Sequence, residues 1–206
     1  MKLQDLKIKI FADGANLQEM LSVYHKGVVR GFTTNPSLMK KAGVKDYKAF
    51  ARTVLQHIPD DAVSFEVFSD DFSTMEKEAK VLSALGDNVY VKIPVMNTKG
   101  ESSVPLIKKL SAQGCLLNVT AIFTLTQVTA VVDALSPDVP AIISVFAGRI
   151  ADAGVDAAAL MKEAAKICAK KPKAELLWAS CREFYNIMEA EKCGCQIITV
   201  PNDILA

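Results

Sequence analysis

The sequence has no apolar run long enough to cross a bilayer. Its longest, such as Val139 to Ala147 and Cys115 to Val119, fall well short of the ~20 residues that crossing requires. Neither sign of charge is in excess: 24 Lys plus Arg stand against 23 Asp plus Glu. No bulk positive field is therefore available to attract nucleic acid or an anionic membrane surface, and any anion site must be local. The start, MKLQDLKIKI, keeps charges inside its apolar stretch and lacks a small-residue cleavage site, so it does not read as a secretory signal. A cytoplasmic location is expected. Histidine is scarce, with only His25 and His57, and the cysteines number an odd 5. Cys193 and Cys195 flank one glycine, which is neither a redox nor a zinc spacing, and no metal site is expected. No Ser/Gly linker, low-complexity tract or second composition regime divides the chain, so residues 1–206 are expected to form a single domain.

What is present is alternation. Short β-rich apolar segments run from Ile8 to Ala12, Val29 to Thr33, Val63 to Phe68 and Val89 to Pro94, then from Cys115 to Val119, Ala141 to Phe146, Ala174 to Ala179 and Gln196 to Val200. Between them, helical spacing of apolar residues covers Asn16 to Val23, Tyr47 to His57, Ser73 to Leu85 and Ser103 to Gln113, then Thr124 to Ala134, Val155 to Ala169 and Arg182 to Glu191. Repeated strand and helix units imply an α/β fold with a parallel sheet. An open doubly wound sheet is the alternative. Eight evenly spaced strands, with no glycine-rich turn after the first, favour a closed (βα)8 TIM barrel. Only Pro201 to Ala206 follow the last strand, so the final outer helix is expected to be short or missing. A bare apolar strand face should not remain in water, and a homo-oligomer is expected on that ground.

Side chains of a strand alternate sides, so one parity fills a barrel's interior and the other packs beneath the helices. With Val89, Val91 and Ile93 facing the helices, Tyr90, Lys92 and Pro94 face inward. The same reasoning turns inward Asp13, Thr33, Asn35 and Glu66 from the first three strands. Asn118, Thr120, Ser144 and Ser180 follow from the later strands, with Arg182 just beyond Ser180. Trp178 shares parity with Ser180, where an indole would narrow the interior. All of these polar residues lie at or near the carboxyl ends of strands, the face where barrel enzymes keep their active sites.

A lone strand lysine is commonly ion-paired or snorkelling. Among apolar walls, however, an amine is poorly solvated in its charged form, which frees it to attack a carbonyl, and the convergent carboxylates of Asp13 and Glu66 can then move protons. Each also has a plainer reading. Asp13 can be a helix N-cap, Glu66 can simply pair with Lys92, and Asn35-Pro36-Ser37 can be a turn that opens a helix. Arg149 follows Gly148 just after the sixth strand and Arg182 follows the seventh, so both can meet a phosphate or make surface ion pairs.

Read as strings, Ala12-Asp13-Gly14-Ala15-Asn16, Gly31-Phe32-Thr33-Thr34-Asn35-Pro36-Ser37, Val91-Lys92-Ile93-Pro94, Asn118-Val119-Thr120 and Ala179-Ser180-Cys181-Arg182 resemble the transaldolase family, including its short fructose-6-phosphate-aldolase-like branch. The resemblance implies chemistry on sugar phosphates without metal or organic cofactor. It makes Lys92 the Schiff-base nucleophile, Asp13 the base that takes the sugar-hydroxyl proton, and Glu66 with Thr120 and a water the proton shuttle. Asn35 and Asn118 would hold substrate hydroxyls, Thr33, Ser144 and Phe146 would belong to the same substrate pocket, and Arg149, Ser180 and Arg182 would clamp the phosphate. Glu66 and Phe146 resemble the transfer-type members, whereas simple aldolases of this kind tend to carry Gln and Tyr there. A plain aldolase releasing dihydroxyacetone remains the alternative within the family. A noncatalytic sugar-phosphate binding protein is the alternative of another class. Gly14 departs from the family, which usually has a hydroxyl residue at that place.

Overall fold

The computed structural model describes residues 6–205, so most of the charged start and Ala206 fall outside the described residues. Eight parallel strands close into a barrel in sequence order. They are β1 (Lys9–Asp13), β2 (Gly31–Thr33), β3 (Ala62–Glu66), β4 (Val89–Pro94), β5 (Leu117–Ile122), β6 (Ala141–Val145), β7 (Ala174–Trp178) and β8 (Ile197–Pro201). β8 returns to pair with β1 over five registered residues, which excludes the open sheet.

Helices separate the strands: α1 (Leu17–His25), α2 (Pro36–Lys41), α3 (Tyr47–His57), α4 (Phe72–Ser83), α5 (Val104–Ala112), α6 (Leu125–Ala134), α7 (Ala147–Asp152), α8 (Ala157–Cys168), α9 (Tyr185–Lys192) and α10 (Asn202–Leu205). Their starts are written locally. Asn16, Asp46, Asp71 and Asp156 each accept a backbone N–H in the first turn of the helix that follows, and Thr124 with Gln127 forms a capping box. The plainer reading of Asp13 is thereby excluded, since the cap of α1 is Asn16.

Strand parity sorts the apolar residues into two cores. The larger lies between the sheet and the helices and includes Val91, Ile93, Val119 and Ile143, all fully buried. The smaller fills the barrel itself: Phe11, Ile142, Leu177, Ala179 and Ile197, with Ala62, Tyr90 and Phe146 against them. The Phe11 ring occupies the space beside Gly31, where a Cβ would stand 2.5 Å from Cζ of the ring. This apolar plug closes the lower barrel and leaves the carboxyl ends of the strands to polar side chains.

Two expectations are corrected here. Trp178 belongs to the outer core and not to the interior. The inward set of this segment is Leu177 and Ala179; the strand ends at Trp178, and Ser180 turns into the left-handed region with φ 65°, so simple alternation does not carry through to it. Nor is the outer face of β8 bare. Ile198 and Val200 are fully buried, with α9 and the four-residue α10 packed on that strand. The stated ground for expecting an oligomer therefore does not hold.

Candidate active site

Sheet register stacks the polar residues side by side at the carboxyl end. Asp13 pairs with Thr33, Glu66 with Lys92, and Lys92 with Asn118. Lys92 is nearly enclosed, and its Nζ lies 3.2 Å from Glu66 Oε2 while donating to the Thr34 carbonyl at 3.0 Å. The walls around this amine are thus polar, unlike the apolar setting read from the sequence. Tyr47 donates its hydroxyl to the Glu66 carbonyl at 2.8 Å, which ties α3 to the end of β3.

Asp13 projects from the end of β1 into the same space. Enclosure raises its carboxyl above the ordinary value, because a charge there is poorly solvated; the nearby Lys92 charge and a hydrogen bond from Thr33 pull the other way. Thr33 Oγ1 donates to Asp13 Oδ1 at 2.7 Å. Thr120, from β5, is buried and among the described residues its hydroxyl has no hydrogen-bond partner, so it can meet a water or a ligand. Directly after it Ala121 adopts φ 57°, at the point where the β5–β6 register shifts. A non-glycine residue in this region stores strain, and here the kink sits beside the Thr120 hydroxyl.

The opposite wall is built by α7. Arg149 lies over the Phe146 ring, 5.0 Å from its centroid, and Phe146 meets Phe123 edge-on. Asp152, at the other end of α7, pairs with Arg182 from the β7–α9 turn. Gly148 makes this arrangement possible: a Cβ there would stand 1.6 Å from the Ser180 carbonyl oxygen, so only glycine lets α7 meet the strained Ser180 turn. One short helix thus brings two guanidinium groups to one cavity.

That cavity has a volume of about 210 Å³. Its walls include Lys92, Asp13, Thr33, Asn35 and Thr120 on one side, and Ser144, Phe146, Arg149, Ser180 and Arg182 on the other. Two residues singled out in the sequence do not line it. Glu66 reaches it through Lys92. Asn118 is fully buried, donating to Ser64 at 3.0 Å and accepting from Ser144 at 2.6 Å, so it orients Ser144 from behind. Asn35 combines both of its readings, since its Oδ1 caps α2 at Leu38 N and the residue also faces the cavity.

With this geometry in place, relatives are informative. The model of the transaldolase/fructose-6-phosphate aldolase family matches residues 10–206. The chain belongs to that family. Among curated relatives, a "Probable transaldolase" of Dehalococcoides mccartyi is 34% identical over 199 residues, covering 96% of this chain and 88% of the relative. Proteins of the same name from Caldicellulosiruptor saccharolyticus and Nitrosopumilus maritimus are 36% and 37% identical over 200 residues, covering 96% of this chain and 88% and 86% of theirs. A structure titled "Crystal structure of a putative lyase/mutase from Burkholderia cenocepacia J2315" superposes with TM-score 0.68 over 98% of this chain and 79% of that one; at 11% identity the likeness shows the fold alone.

In this transaldolase/fructose-6-phosphate aldolase family member the cavity also contains Thr199 and Pro201, not singled out from the sequence, and Ala179 and Cys181, which the sequence strings included without a role. The signal for Thr199 was available in Ile197-Ile198-Thr199-Val200-Pro201, because it shares parity with Ile197, which faces inward. Cys181 carried no such signal, being one of five cysteines that are all buried free thiols. Burial pushes its thiol up to about 11, which leaves it a poor nucleophile at neutral pH. At Gly14 an added Cβ would lie 3.1 Å from the Asn202 side chain, so a larger residue would crowd the start of α10. Among the described residues no helix is long and apolar enough to cross a membrane.

Proposed function

We propose that this protein is a transaldolase, moving a three-carbon dihydroxyacetone unit from a ketose phosphate to an aldose phosphate through a Schiff base on Lys92. One observation carries the reading: an enclosed lysine, hydrogen-bonded and ion-paired, shares a 210 Å³ cavity with a carboxylate of raised affinity for protons and with two arginines.

In this mechanism Glu66 takes a proton from the Lys92 ammonium, and the free amine attacks the ketone. The carbinolamine loses water as Glu66 and Thr120 return the proton, leaving an iminium. Asp13 then takes the proton of the hydroxyl on C4, the C3–C4 bond breaks, and its electron pair passes into the iminium to give an enamine as the aldehyde departs. The enamine attacks the acceptor aldehyde, Asp13 gives its proton to the new alkoxide, and water releases the product ketose. Asn35 and Ser144 would hold the hydroxyls of the three-carbon unit, with Asn118 behind Ser144. Arg149, Arg182 and Ser180 would hold the phosphate, supplying binding energy remote from the reacting carbon.

The assay uses fructose 6-phosphate with and without erythrose 4-phosphate. Sedoheptulose 7-phosphate formed only with the acceptor is the expected result. Free dihydroxyacetone released without an acceptor would replace the reading with that of an aldolase, and binding without any turnover would make the protein a noncatalytic sugar-phosphate binder.

A further inference from the structure

Thr199 occupies an inward position of β8, in register with Phe11 of β1 and one layer above Ile197. Its neighbours below are apolar, and valine would fill the same volume without a polar group. A buried hydroxyl is costly unless it is bonded, and the partner of this one is Thr33 Oγ1. The direction of that bond follows from proton counting. An ionised Asp13 has no proton to give, so the single hydroxyl proton of Thr33 is committed to Asp13 Oδ1. Thr33 Oγ1 can then only accept, and Thr199 must be the donor.

We infer that Thr199 is a positioning residue: its hydroxyl donates to Thr33, fixes the Thr33 proton on Asp13, and so holds that carboxylate ready to accept the substrate's proton. The inference rests on Asp13 acting as the base. Three side chains from β8, β2 and β1 then form one chain of hydrogen bonds in which each bond polarises the next. The chain acts on a carboxyl that enclosure has already raised, so it works in the direction that keeps Asp13 ionised. Other charges about Asp13 are Lys92 of β4, backed by Glu66 of β3, and Arg149 and Arg182 across the cavity. Glu19 of α1, Lys26 just past its end, Lys41 of α2 and Asp203 of α10 border the groove on its outer side. Thr199 is uncharged, so its removal changes the hydrogen bonding without altering this field.

The test compares wild type with Thr199→Val, Thr199→Ser and, should valine impair folding, Thr199→Ala. Asp13 ionisation is followed by carboxyl ¹³C NMR in aspartate-labelled protein, assigned with Asp13→Asn, and kcat and KM are measured against pH. In Thr199→Val the Asp13 titration and the acid limb of kcat move to higher pH by about half a unit. kcat falls about threefold to tenfold, with KM nearly unchanged. Thr199→Ser restores both. An unmoved Asp13 titration in the valine variant overturns the inference whatever turnover does, and so does failure of serine to rescue. A rise in KM alone would assign Thr199 to substrate contact and overturn it as well. Full turnover by Asp13→Asn would instead overturn the reading of Asp13 as base, a result separable from the NMR outcome.

Discussion

Asp13, the proposed base, is a carboxylate whose enclosure costs stability. Its folded-state proton affinity is raised, chiefly by enclosure. Below the ordinary carboxylate range, about pH 4, Asp13 is neutral in both folded and unfolded chains and the site carries no buried charge. As pH rises through the raised folded value, the folded state must bear that charge and stability is lost. Asp13→Asn is therefore expected to melt above wild type at neutral pH, with a difference that shrinks as pH is lowered; calorimetry across this range checks it, and a difference independent of pH would contradict it. Single residues were legible in the sequence wherever alternation held. Lys92, Glu66 and Asp13 follow from counting along their strands, and Thr199 follows from the same count. Trp178 does not, because the left-handed φ of Ser180 lies in the backbone and no side chain advertises it.

Elements longer than two turns announced themselves through apolar spacing, and their observed ends lie close to the spacing's limits. The six-residue helices α2 and α7 did not, since a helix this short has too few positions to display a period. For α2 only the Asn-Pro-Ser start was readable. The loss matters most at α7, which carries Arg149 and, through Asp152, holds Arg182. Its contact with the β7–α9 turn depends on Gly148, because a methyl there collides with the Ser180 carbonyl. Gly148→Ala is expected to raise KM for a ketose phosphate at least tenfold while changing turnover of the unphosphorylated ketose far less. Steady-state kinetics on both substrates decides the matter: equal losses would place the defect in the reacting centre, away from the phosphate side.

At the scale of the molecule, near-neutral overall charge provides no bulk field for anions, so the proposed phosphate site is the local wall bearing Arg149 and Arg182. Inorganic phosphate at ten times its dissociation constant should stabilise the fold by about 1.4 kcal/mol, seen as a rise in Tm of about 3–5 °C. Arg182→Ala should lose most of that rise, and an undiminished rise would locate the anion elsewhere. The closed barrel was legible because eight alternating units leave little choice of architecture. Coverage of β8 was not, because it depends on where α9 and the short α10 pack rather than on any local pattern.

The central claim is that the Lys92 amine becomes covalently bonded to the substrate ketone. Incubating the protein with fructose 6-phosphate, reducing with borohydride and mapping the added mass by peptide mass spectrometry tests it most directly. The account predicts a three-carbon adduct on the peptide containing Lys92, absent in Lys92→Ala and depleted when an acceptor aldose phosphate is present. No adduct with fructose 6-phosphate, or an adduct on another lysine, would contradict it.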